Sequence, residues 1–90
     1  MVKKEIKFLS ENNKDLDSGR AIAGIIQVAS NFNSDIRLEV DGRRANAKSL
    51  LGVMSLALDP DALVKVSAEG PDEDEALETV VQYLLKPELD

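Results

Sequence analysis

Apolar and polar residues alternate along some stretches of this chain and recur at helical spacing along others. Val2, Lys4, Ile6 and Phe8 fall on one side of an extended segment, with Lys3, Glu5, Lys7 and Leu9 on the other. That period of two predicts a half-buried strand. Ser10, Glu11, Asn12, Asn13 and Lys14 then read as a polar loop. Ile22, Ile25, Ile26, Ala29 and Phe32 return every three or four residues, which predicts an amphipathic helix. Asp17 or Ser18 can cap its start, because either side chain can accept from the free N–H groups of a first turn.

Ile36, Leu38 and Val40 alternate with Arg37 and Glu39, a second strand. Asp41-Gly42 tolerates positive φ at both positions and signals a type I′ hairpin, so a short third strand follows over 43–47. Ser49 stands where it can cap a short helix reaching about Leu56, weakened by Gly52 in its interior. Asp59, Pro60 and Asp61 make a turn. Val64, Val66 and Ala68 then alternate with Lys65, Ser67 and Glu69 in a fourth strand. Gly70-Pro71 breaks the chain before a last helix whose first turn holds Asp72, Glu73, Asp74 and Glu75. Exposed N–H groups favour negative charge there, so the four read as a solvated helix start. Leu77, Val80, Val81, Leu84 and Leu85 supply that helix's apolar stripe, and Lys86 and Pro87 close it.

Each of these elements is apolar on one side only. The economical packing is an α+β open-faced sandwich, a four-stranded antiparallel sheet with three helices on one face. The order is β-α-β-β-α-β-α. Ninety residues hold one such core, so 1–90 reads as a single domain.

Composition narrows the chemistry. Phe8, Phe32 and Tyr83 are the whole aromatic complement, so the core must be aliphatic. Seventeen acidic against 11 basic residues give a net charge of −6, which argues against binding nucleic acid through its phosphates. No apolar run approaches the roughly 18 residues of a membrane span. Met1-Val2-Lys3-Lys4-Glu5 lacks the apolar centre of a secretory signal, so a cytoplasmic location is expected. The chain has no cysteine, which removes thiolate and disulfide chemistry. It also has no histidine, and so lacks the side chain that titrates nearest neutrality. No cofactor or metal is expected, since the acidic run lacks the spaced ligands and turn glycine of a calcium loop.

Ser34-Asp35-Ile36 through Asp41-Gly42, followed by Asn46-Ala47-Lys48-Ser49-Leu50-Leu51-Gly52-Val53-Met54-Ser55-Leu56, forms the most specific block of the chain. It resembles the regulatory-serine region of HPr, the phosphocarrier family of the bacterial sugar phosphotransferase system. Gln27-Val28-Ala29-Ser30-Asn31-Phe32 and Glu73-Asp74-Glu75-Ala76 resemble the family's first and last helices. The resemblance runs from Val2 to Leu85 and implies the fold just derived. It departs where HPr proteins carry Gly-Leu-His-Ala-Arg-Pro, because this chain reads Asp15-Leu16-Asp17-Ser18-Gly19-Arg20-Ala21. Asp17 or Ser18 takes the histidine's place, according to which flank is aligned. Arg20 matches the family's arginine. Phosphohistidine chemistry is excluded.

What the resemblance then implies is regulation. Ser49 matches the serine that a dedicated kinase phosphorylates in Gram-positive members and in a histidine-lacking paralogue; taken alone it is a helix cap. Leu50, Leu51 and Met54 match the apolar patch that docks kinase and partners; the plain alternative is core. A short helix that is apolar all round must expose part of itself, which favours docking. The leading expectation is a non-enzymatic regulatory protein of carbon metabolism, acting through Arg20, Ser49, Leu50, Leu51 and Met54. The resemblance implies an HPr serine kinase and a LacI-type catabolite regulator as its protein partners, and neither nucleic acid nor membrane directly. Two other readings stay open: a phosphocarrier using Asp17 or Ser18 as acceptor, and a diverged binding protein of another pathway. An acyl phosphate on Asp17 would need a metal site and a base, neither of which the sequence displays.

Overall fold

The computed structural model describes residues 1–8, 18–56 and 62–85, without the side chains of 18–21. Its elements run β1 (Val2–Lys7), α1 (Ser18–Ala29), β2 (Asp35–Val40), β3 (Arg43–Asn46), α2 (Leu50–Ser55), β4 (Leu63–Glu69) and α3 (Glu73–Leu85). This is the predicted order. The loop expected over 10–14, the turn over 59–61, the stop at Lys86 and Pro87, and Asp17 itself lie outside the described residues.

The strands pair in the order β1-β4-β2-β3, all antiparallel. β2 and β3 join through Asp41 and Gly42 at φ 52° and 81°, the positive pair that a type I′ turn requires. Alternation sends Ile36, Leu38, Val40, Val64, Val66 and Ala68 inward, where all six are buried. Ile6 of β1 and Phe8 just beyond it join them, with Val2 half-buried, whereas Lys4, in the same phase, remains exposed. The opposite face carries a row of alternating charge, because Glu5 lies across from Lys65, Lys65 from Glu39, and Glu39 from Arg44. Arg44 Nε approaches Glu39 Oε1 at 3.1 Å and Lys65 Nζ approaches Oε2 at 4.0 Å.

The helices cover the apolar face. α3 lies over β1 and β4, α2 beside β3, and α1 against both other helices. α1 buries Ile22, Ile25 and Ala29 as expected, and Val28 in addition. In α3 the predicted Val80, Val81 and Leu84 are buried, but Ala76 and Tyr83 take the inward places expected for Leu77 and Leu85. Ala76, Val80, Val81, Tyr83 and Leu84 are its buried residues, while Leu77 is half-buried and Leu85 exposed. The cause lies across the interface. Gly24 of α1 leaves room that the Tyr83 ring fills, and a Cβ at that position would collide with the ring.

The acidic run is likewise more than a solvated helix start. Asp72 Oδ1 accepts from Ser34 Oγ at 2.5 Å, and its Oδ2 accepts from Asn33 N at 2.9 Å. Ser34 Oγ in turn accepts from Asp72 N at 3.2 Å, so a buried serine and a helix-start carboxylate lock β2 to α3. Gly70 makes that approach possible: its φ is 151°, and a Cβ there would fall 2.7 Å from Ser34 Cα. Glu73 Oε1 accepts from Gly70 N at 3.2 Å, closing the first turn. Asp74 and Glu75 are exposed, as expected for solvated acids.

Candidate functional site

The β3–α2 junction is held by four hydrogen bonds before the helix begins, two local and two to β2 and the end of α1. Ala47 N donates to Ile36 O at 2.8 Å, which extends the β3 edge by one residue. Asn46 Oδ1 accepts from Lys48 N at 2.8 Å, the side-chain-to-backbone link of an Asx turn. Ser49 N donates to Asn46 O at 2.9 Å. Lys48 Nζ reaches across to Phe32 O at 2.7 Å and fastens the junction to the end of α1. Sequence reasoning missed both Asn46 and Lys48 as supports. An asparagine two residues ahead of a helix-cap turn was a readable signal for the first, but the long-range Lys48 bond had none.

Ser49 is the N-cap of α2, with an extended backbone at φ −105° and ψ 115°. Its Oγ accepts from Gly52 N at 3.2 Å, and its carbonyl accepts from Val53 N at 2.9 Å. The hydroxyl is half-buried, with one lone pair engaged and its proton free to point outward. At the other end of the helix, Ser55 Oγ donates to Gly52 O at 2.6 Å and Arg43 Nη1 donates to Ser55 O at 3.3 Å.

The helix faces divide sharply. Val53 is 0% exposed and Leu56 1%, and these two anchor α2 in the core. Leu50, Leu51 and Met54 are 52%, 79% and 54% exposed. All three apolar side chains therefore stand in solvent beside Ser49, which removes the reading of them as core. Of the six large hydrophobic residues exposed among the described ones, these three alone share an element. The segment is one-signed in sequence: from Arg43 to Leu56 the chain holds Arg43, Arg44 and Lys48 and no carboxylate, against −6 overall, with Arg44 paired to Glu39 on the open face of the sheet.

Of the other candidates, Ser18 is the first residue of α1 and Arg20 lies in its first turn, but their side chains are not among those described. α1 does pack against α2, so the two elements that carry Arg20 and Ser49 are neighbours. Among the described residues, no group of three or more acidic, histidine or cysteine side chains is placed to hold a metal ion. No helix among them is long and apolar enough to cross a membrane.

Comparison with known proteins agrees with this geometry. Residues 5–86 match the family described as "PTS HPr component phosphorylation site". Over 65 residues the chain is 46% identical to the HPr-like protein Crh of Bacillus subtilis (strain 168), covering 72% of this chain and 76% of Crh. The crystal structure of HPr-C-His from Thermoanaerobacter tengcongensis superposes with a TM-score of 0.84 at 37% identity, covering 99% of this chain and all of that one. The crystal structure of Bacillus subtilis Crh, described as a dimer with a swapped domain, superposes at 0.74 with 42% identity over 82% of this chain and 85% of that one.

Proposed function

This chain belongs to the HPr family, and from that premise we propose that it is a non-catalytic, cytoplasmic regulatory protein of carbon metabolism, switched by phosphorylation of Ser49. The observation that carries the reading is the pairing of a half-buried N-cap hydroxyl with three exposed apolar side chains, in a chain that has no histidine. A phosphoryl group on Ser49 adds about −1.5 to −2 charges at neutral pH and three acceptor oxygens. It would arrive in a segment whose charged residues are all cationic. Leu50, Leu51 and Met54 supply the apolar anchor that a partner needs, and the phosphate supplies the on-state label beside it. Arg20, on the helix that neighbours α2, is the polar residue this reading assigns to the same partner. The partners this reading assigns are an HPr serine kinase, which adds the group, and a LacI-type catabolite regulator, which reads it.

The test is incubation with purified HPr kinase, magnesium and ATP, followed by mass mapping. One phosphoryl group is expected, located at Ser49 and absent from Ser49→Ala. Loss of the cap in that variant should lower stability by about 0.5–2 kcal/mol and leave the fold intact. Phosphate on Ser18 or Ser55 instead, or no phosphate at all, would overturn the assignment.

A further inference from the structure

Gly52 lies one helical turn beyond Ser49, and its missing side chain leaves a gap bounded by three atoms. A Cβ built on it would sit 3.2 Å from Ser49 Oγ, 3.3 Å from Ser49 Cβ and 3.3 Å from Ala45 Cβ. Ordinary carbon contacts need a few tenths of an ångström more, so a methyl group at that position would push either Ser49 or β3 aside. The same residue's N–H is the donor that holds Ser49 Oγ. Glycine in a helix interior costs about 1 kcal/mol relative to alanine, and nothing in the backbone conformation of α2 requires it. Its φ is not among the positive values.

We propose that Gly52 is a positioning residue for modification of Ser49, trading helix stability for an uncrowded acceptor oxygen. The inference rests on the reading of Ser49 as the phosphorylated serine. In the transfer, Ser49 Oγ forms a bond to the γ-phosphorus of a nucleoside triphosphate while the bond from that phosphorus to the β–γ bridging oxygen breaks. The hydroxyl proton passes to a base of the kinase, and nucleoside diphosphate leaves. Oγ must approach in line with the departing oxygen, and a displacement of 1 Å can cost on the order of a hundredfold in rate. A shift of a few tenths is a smaller fraction of that penalty. On the other flank Ser49 N donates to the Asn46 carbonyl, so the serine is held from both sides.

Gly52→Ala separates the two roles because they have opposite signs. Thermal unfolding should show unchanged or raised stability, while kcat for phosphorylation by HPr kinase should fall about fivefold or more. KM should hold, since Leu50, Leu51 and Met54 remain exposed. Adding Ala45→Gly gives the new methyl room on the β3 side and should restore kcat. An unaltered kcat in folded Gly52→Ala would overturn the inference alone. So would a loss of rate that merely follows a loss of stability and is not recovered by Ala45→Gly. Absence of phosphate on the unsubstituted protein would overturn the reading of Ser49 and this inference with it.

Discussion

Asp72 is a single carboxylate on which two elements converge. The hydroxyl of Ser34 and the amide of Asn33 both donate to it, and these bonds hold its pKa below the ordinary carboxyl value. Glu73 is displaced in the same direction, first by the Gly70 amide and then by the N-terminal ammonium, 3.3 Å away. A carboxyl with a depressed folded pKa stabilises the fold at every pH above its unfolded value, about 4. That contribution is lost as the pH falls through the folded pKa. Asp72→Asn should therefore lower the unfolding temperature near pH 7. It should also flatten the decline as the pH falls below about 4, because the group that titrates there is gone. Thermal scans across that range check both; a variant as stable as the parent at neutral pH would show that the Ser34–Asp72 contact contributes nothing.

Within α2, side chains two residues apart have opposite duties, and paired substitutions expose them. Leu51→Ser replaces the most exposed apolar residue of the helix and should change stability by less than about 1 kcal/mol. The same change should weaken kinase or partner binding by 1 kcal/mol or more, which is about fivefold in affinity. Val53→Ala hollows the core and should cost about 2 kcal/mol. Thermal unfolding together with a binding titration on each variant separates the two. Large destabilisation by Leu51→Ser would remove the docking role. That part of α2 stands in solvent was legible in the sequence, because a short helix cannot bury an apolar circumference; that Leu50, Leu51 and Met54 are all exposed was not. The strands were legible for an equally simple reason: a period of two admits one buried face. α3 was not, since Leu77 and Leu85 compete in the sequence with Ala76 and Tyr83 for the inward stripe. What decides between them is Gly24 on another helix, about sixty residues away in the chain, and no local pattern carries that information. The Ser34–Asp72 lock and the Lys48–Phe32 bond escaped for the same reason, being contacts between distant segments.

Over the whole molecule, the two faces of the sheet have been given different tasks. The open face is covered by the alternating row of Glu5, Lys65, Glu39 and Arg44. Exposed pairs of that kind add little stability each, and among the described strand residues they leave Leu63 as the one large apolar side chain exposed on that face. The helical side instead carries Leu50, Leu51 and Met54, with Ser49 beside them. A relay protein of this family would also need a phosphoryl acceptor that gives its cargo up readily, as an imidazole does. The chain has no histidine to supply that imidazole. A serine ester holds its phosphate far more firmly, which suits a signal and defeats a shuttle. Incubation with enzyme I and phosphoenolpyruvate should accordingly leave the intact mass unchanged, while HPr kinase with ATP should add about 80 Da, one phosphoryl group. The two reactions run on the same preparation make each other's control. An acid-labile phosphoryl adduct from enzyme I would place an acyl phosphate at Asp17, and the protein would then be a carrier after all.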